Sequence, residues 1–300
     1  MAIDQRFTTL AVASVATVGC GYLVYRLLYR QEESSQKTAL EDMEHQVGGH
    51  ACAKTSMKLY RGHVLKPFQS KNRGERELAF YESVPTDVPF VPAFYGVIRL
   101  PSTDEDGPRR YLQIKNLLGG MIHPCIMDVK VGTKSYEPTA SRDKIALEIA
   151  KCPLQATMGF RLQGIKVYWD SKQEHVSYDK YFFRDLATAE SIEAAFVKYF
   201  EAGPDHVPRY YLLEPFLAKL HAIREWLHVQ TDFHFIASSL LFVYDANPTD
   251  KRIVCDVRLI DFAHVQLDQT SRDEDVLVGV NYIIGIFERL LESSSSVTTS

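Results

Sequence analysis

The chain is predicted to fold as an α+β protein in two lobes. Three observations predict it. Short strand-like runs and a single helix fill residues 56–115. A strand bounded by proline and glycine, Pro124-Cys125-Ile126-Met127-Asp128-Val129-Lys130-Val131-Gly132, opens a longer second half. There, apolar alternation is interspersed with helical stretches. A length of 300 residues suits one two-lobed domain or two small ones.

In chain order, residues 1–30 form a hydrophobic segment. Phe7 to Tyr25 contains no charge, and Arg26 and Arg30 follow. That length just spans a bilayer as a helix, and the arginines would keep the C-terminal side in the cytosol. The first expectation is a hydrophobic N-terminal helix serving as a single-pass anchor. A cleaved secretory signal and a surface helix docked on the domain are the other two readings. Residues 31–44 read as a linker, led by the polar Gln31–Lys37.

The first lobe is assigned to 45–118. It opens on His45-Gln46-Val47-Gly48-Gly49-His50; Ser56–Tyr60 and His63–Phe68 pair across Arg61-Gly62. A helix spans Gly74–Ser83, a proline-rich loop Pro85–Pro92, and strands Phe94–Leu100 and Arg110–Lys115 flank an acidic turn at Asp104–Pro108. Asn116–Pro124 is the hinge. The second lobe, 119–292, begins with the Pro-to-Gly strand, whose alternation sends Cys125, Met127, Val129 and Val131 to a core and Ile126, Asp128 and Lys130 to an exposed edge. Helices are expected over Ala140–Lys151, with Ser141 as N-cap, and over Thr188–Phe200, Tyr210–Gln230 and Asp275–Leu291. Gly159–Trp169, Ser238–Tyr244 and Ile253–Phe262 read as strands. Ser293–Ser300 reads as a disordered, low-complexity tail.

Composition narrows function. Hydrophobic residues make up 46% and charged residues 24%, which suits a packed core. A net charge of −4 gives no global attraction to nucleic acid, so any polyanion must meet a local basic cluster. The five cysteines show no CxxC pair or metal spacing, which suits a reducing compartment without a zinc site. The chain has no GxxxxGK[ST] phosphate loop, no GxGxxG after a strand, no His-Arg-Asp loop, no GxSxG and no HExxH.

The remaining chemistry-bearing residues fit phosphoryl transfer, which asks for neutralised phosphates, a placed metal and an aligned hydroxyl. Lys66 ends a strand and Glu77 follows on the next helix, the pairing that grips nucleotide phosphates; alone, it would read as a surface lysine and a helix-face glutamate. Asp261 lies among apolar neighbours in Ile260-Asp261-Phe262-Ala263-His264, where an aspartate caps a turn or binds a cation; beside an Asp-x-Lys strand the cation is favoured. His264 faces substrate or is a half-buried surface histidine. Ser238 and Ser239 are secondary.

These residues, with the Pro-x-x-x-Asp-x-Lys-x-Gly strand, Arg73-Gly74-x-Arg76-Glu77, Gly132-Thr133-Lys134-Ser135-Tyr136 and the Ser-Ser-Leu-Leu strand, carry a resemblance from about His45 to Leu291. The chain resembles the inositol polyphosphate kinases, most closely their multikinase branch. The resemblance implies a fold distantly similar to protein kinases, with ATP held between the lobes and Mg²⁺ on Asp261. It implies Lys66 on the nucleotide phosphates, Glu77 orienting it, Asn116 and Leu117 at the hinge, Asp128 on the ribose, and Lys130 on the inositol phosphate or the phosphoryl group. It implies substrate contacts at Gln69, Arg73, Lys144, Lys151 and His264; Lys144 and Lys151, seven apart on one helix, can face one polyanion. The implied activity is phosphorylation of inositol trisphosphate to tetrakis- and pentakisphosphate by a monomer whose catalytic domain is cytoplasmic, or nuclear if no anchor forms. Hexakisphosphate kinase and trisphosphate 3-kinase share the core motifs, and a membrane-tethered, inositol phosphate-binding scaffold is the non-enzyme alternative. Lys115, Leu147 and Phe183 depart from the family pattern.

Overall fold

A computed structural model of the chain describes residues 40–43, 47, 56–101, 107–204, 206–248 and 252–297. The predicted helix over 7–25, the Gln31–Lys37 linker and most of the His45–His50 run lie outside these residues. Among the described residues, no helix is long and apolar enough to cross a membrane.

The first sheet contains β1 (Leu40–Asp42), β2 (Lys58–Tyr60), β3 (His63–Pro67), β4 (Phe94–Leu100) and β5 (Arg109–Lys115), in the order β1-β2-β3-β5-β4. β1 falls within the stretch expected to be linker. Arg61 and Gly62 both take positive φ, 49° and 79°, the two-residue turn whose twist suits a tight hairpin, and Tyr60 pairs with His63 across it. Helix α1 (Arg73–Ser83) follows β3 and buries Gly74, Glu77, Phe80 and Tyr81. Gly74 is needed because a Cβ there would stand 2.6 Å from the Phe68 ring. The helix ends where Val84 turns extended ahead of Pro85.

The second half holds β6 (Pro124–Val131), α2 (Arg142–Lys151), α3 (Gln155–Met158), β7 (Phe160–Trp169), β8 (Glu174–Asp179), α4 (Lys180–Arg184), α5 (Ala189–Phe200), α6 (Leu213–Val229), β9 (His234–Phe235), β10 (Ser239–Asp245), β11 (Cys255–Ile260), β12 (Val265–Gln266) and α7 (Glu274–Val297). Its main sheet runs β11-β10-β6-β7-β8, antiparallel throughout. The Pro-to-Gly strand is therefore the central strand and not an exposed edge. Every residue of β6 except Lys130 is buried, because β7 and β10 flank it and both faces are covered.

Aromatic packing joins the halves. Phe80 of α1 stacks on Phe262, just past β11, with ring centroids 4.0 Å apart, and meets Phe233 and Phe235 edge-on. Deeper in, Tyr199, Phe216, Phe242 and Phe287 bring α5, α6, β10 and α7 together. Helix α7 runs past Leu291 to Val297, so the start of the expected disordered tail is helical. The serine hydroxyls there donate to carbonyls one turn back, Ser293 to Arg289 and Ser295 to Leu291, the bonding mode by which serine is accommodated within a helix. Helix α7 also touches the end of the signature strand: Gly132 N–H donates to Gly159 O at 2.7 Å, and Gly159 packs backbone to backbone on Gly279.

Candidate active site

Lys66 on β3 is 8% exposed and sits between two carboxylates. Its Nζ lies 2.7 Å from Glu77 Oε1 and 2.6 Å from Asp261 Oδ1. Burial alone would strip its proton, but Asp261 and then Glu77 outweigh it and hold the pKa above the ordinary lysine range. Glu77, 1% exposed on α1, also accepts from the Phe262 backbone N–H at 3.3 Å. One glutamate thus orients the lysine and ties α1 to the end of β11.

Asp261 follows β11 with φ of 66°, a left-handed conformation that a β-substituted residue adopts at a cost of about 1–2 kcal/mol. Its carbonyl accepts from Ser238 Oγ at 2.9 Å, so the serine pins the turn, and its side chain is 48% exposed. Burial pushes against ionisation here, yet Lys66 and then Lys130 keep the carboxyl below its usual pKa.

Asp128 is the opposite case. It is 6% exposed on β6, and its Oδ1 has no hydrogen-bond partner. Burial, reinforced by the charge of Asp261, pushes its pKa up to about 7. Lys130, two residues on, donates to Ala237 O at 2.7 Å, and burial lowers its pKa. Residues far apart in sequence thus form one charged cluster: Lys66, Glu77, Asp128, Lys130 and Asp261. Its unsatisfied carboxylate oxygen and half-exposed second carboxylate suit a cation or a hydroxyl donor. Among the described residues no group of three or more His, Cys, Asp or Glu could hold a metal by itself. Mg²⁺ is usually held by one or two carboxylates completed by phosphates and water, and the half-exposed Asp261 is a carboxylate of that kind.

The helix expected over Ala140–Lys151 forms as α2, Arg142–Lys151. Ser141 Oγ accepts from Lys144 N–H, capping α2. Lys144 and Lys151 both donate to Glu148 Oε1, at 2.7 and 2.6 Å. Sequence reasoning missed Arg161 on β7, whose Nη2 lies 3.1 Å from Glu148 Oε2. Burial opposes ionisation of Glu148, but its hydrogen bonds from Lys144, Lys151 and Arg161 prevail and lower its pKa to about 2.

His264 Nδ1 lies 2.8 Å from Glu137 Oε1, which also pairs with Arg76. The hydrogen bond from His264 depresses the Glu137 pKa, against a smaller opposing effect of burial. Gln69 and Arg73 stand at the entry to α1, where Arg73 Nε donates to Ser70 O at 3.1 Å. Asn116 is engaged locally: its Oδ1 accepts from Leu118 N–H at 3.0 Å and shapes the turn after β5, which holds Leu117. Of the departures, Leu147 is 64% exposed on α2, and Phe183 is buried within α4, capped by Asp179. Lys115 remains in the β3–β5 ladder opposite His63.

The family model described as inositol polyphosphate kinase matches residues 111–288. The chain belongs to the inositol polyphosphate kinase family. It is 33% identical to the human inositol polyphosphate multikinase over 70% of this chain and 53% of that protein, and thus spans about half the length of that relative. It is 31% identical to a multikinase of Oryza sativa subsp. indica over 86% of this chain and 98% of that one. Mouse inositol hexakisphosphate kinase 3 is 29% identical over 63% of this chain. The fold is shared with the S. cerevisiae multikinase crystallised with ADP and Mn²⁺, at a TM-score of 0.63 over 76% of this chain and 99% of that one, with 24% identity.

Proposed function

We propose that this chain is an ATP-dependent kinase of inositol polyphosphates, acting in the multikinase manner on inositol trisphosphate. The observation that carries the reading is the Lys66–Glu77–Asp261 arrangement, joined to an Asp128–Lys130 strand whose neighbour Arg161 pairs with Glu148 of the lysine-bearing helix. Family membership and the multikinase relatives support it.

In this reading the first sheet, β1 included, and the residues up to 118 form an N-lobe and 119–292 a C-lobe, with Asn116 and Leu117 at the hinge. Lys66, oriented by Glu77, binds nucleotide phosphate in exchange for its pairing with Asp261. Asp261 would hold Mg²⁺, which would neutralise developing phosphate charge. Asp128, with its unsatisfied Oδ1, accepts a ribose hydroxyl. Lys130 leaves the Ala237 carbonyl for the transferring phosphoryl group, and its lowered pKa makes it less firmly charged than a surface lysine. Lys144, Lys151, Gln69, Arg73 and His264 hold the inositol phosphate.

A turnover assay on the full chain with Mg-ATP and inositol 1,4,5-trisphosphate, resolving products by charge, tests the reading. Stepwise tetrakis- and pentakisphosphate are expected. A single tetrakisphosphate would favour 3-kinase specificity. The similarity to hexakisphosphate kinase 3 makes inositol hexakisphosphate the second substrate to try. No turnover on any of them would leave the phosphate-binding scaffold. We also propose that residues 7–25 anchor the chain in a membrane, with a monomeric catalytic domain on the cytosolic side. Their uncharged run followed by arginines supports the anchor, and fractionation of the full chain against a form lacking residues 1–30 tests it.

A further inference from the structure

Helix α2 is unusual in what it buries. Ala146, Leu147, Ile149 and Ala150 are exposed, and the one fully buried side chain of this helix is Glu148. Of its apolar side chains from Ile145 to Ala150 only Ile145 is partly buried, so the buried carboxylate is the main anchor of α2. That carboxylate uses one oxygen for two lysines of its own helix and the other for Arg161 of β7, itself 8% exposed. Arg161 stands directly opposite Lys130 in the β6–β7 ladder. Glu148 thus connects the helix that bears the outer lysines to the strand beside the inner one.

Two ammonium groups repel at close range, and Lys144 and Lys151 share one oxygen only because it is anionic. Each keeps two further N–H donors. The arrangement is a preassembled cation pair, held for an incoming phosphate and not blocked from it. We propose that Glu148 is a positioning residue for the inositol phosphate. Its pairing with Arg161 sets α2 on the sheet and presents Lys144 and Lys151 together on the Lys130 side. The proposal rests on the kinase reading above and adds to it a residue that need not touch substrate.

The test is the kinetics of Glu148→Gln, Arg161→Gln and the double variant, with the full chain, Mg-ATP and inositol 1,4,5-trisphosphate. Glu148→Gln is expected to raise the KM for the inositol phosphate roughly tenfold, the scale of one strong hydrogen bond to a charged group. The KM for ATP and the kcat at saturation should stay within about twofold, a split that general misfolding would not produce. The double variant should be little worse than the worse single one, because both remove the same link. Glu148→Asp, which keeps the charge, should recover part of the loss. Amide hydrogen exchange over 142–151 should quicken in Glu148→Gln, a readout independent of turnover. An unaltered KM with unaltered exchange, or full additivity with Arg161→Gln, overturns the proposal while the wild-type activity stands. A wild-type chain inert on inositol phosphates overturns both readings.

Discussion

At the scale of single residues, Asp261 and Asp128 share an acid type and differ in every other respect. Asp261 has a cation beside it and is held ionised; Asp128 is buried with an oxygen unsatisfied and rises to about 7. Replacing Asp261 by Asn should abolish turnover, by a factor of about 10³ or more if it holds the metal. Circular dichroism should remain native, since a half-exposed amide fits the same turn. Full activity in Asp261→Asn would remove its metal role. For Asp128 the consequence lies in stability. The folded chain holds this proton more tightly than the unfolded one, whose aspartate titrates near 3.8. The contribution of Asp128 to native stability is therefore greatest below that value, falls as pH rises through about 7, and then levels. Asp128→Asn removes the penalty, so without ligand it should melt higher than wild type at pH 8, by an amount of order 2–4 kcal/mol. The difference should shrink towards pH 4. A constant difference across that range would contradict the pKa shift.

At the scale of elements, the helix with its two lysines was legible because its signals are local: Ser141 at the cap, and Lys144 and Lys151 on one face. The strand Pro124–Val131 was equally legible as a strand, since alternation and bounding residues lie within it. Its central position was not, because pairing to β7 and β10 depends on residues 29 to 121 positions away. Strand β8 escaped notice because Glu174–Asp179 is a polar edge strand with little apolar alternation. Arg161 escaped because its partner sits on another element, and the same holds for the His264–Glu137 contact. The double replacement Lys144→Ala/Lys151→Ala should raise the KM for inositol phosphate by roughly 10²-fold and that for ATP far less. Equal effects on both substrates would place these lysines outside the substrate site.

At the scale of the whole molecule, the signature strand is backed by a helix from the far end of the chain, and two glycines of that helix separate helix propensity from packing. In a helix interior, Gly→Ala ordinarily gains about 1 kcal/mol. At Gly279 the added Cβ would stand 2.0 Å from the carbonyl oxygen of Gly159, which already accepts the Gly132 amide at the end of β6. Neither atom is at the end of a flexible side chain, so the helix or the strand must move. At Gly285 the nearest atom is Arg289 Nη1, 3.2 Å away, and that guanidinium can swing aside. Gly285→Ala should therefore raise the melting temperature slightly, while Gly279→Ala should lower stability by about 1–3 kcal/mol. The loss should carry into catalysis, because displacing α7 shifts Gly132 and with it the strand that bears Asp128 and Lys130. Chemical denaturation and turnover of the two variants side by side decide it. If Gly279→Ala gained stability like Gly285→Ala, propensity alone would govern α7, and its contact with the signature strand would contribute nothing to the fold or the site.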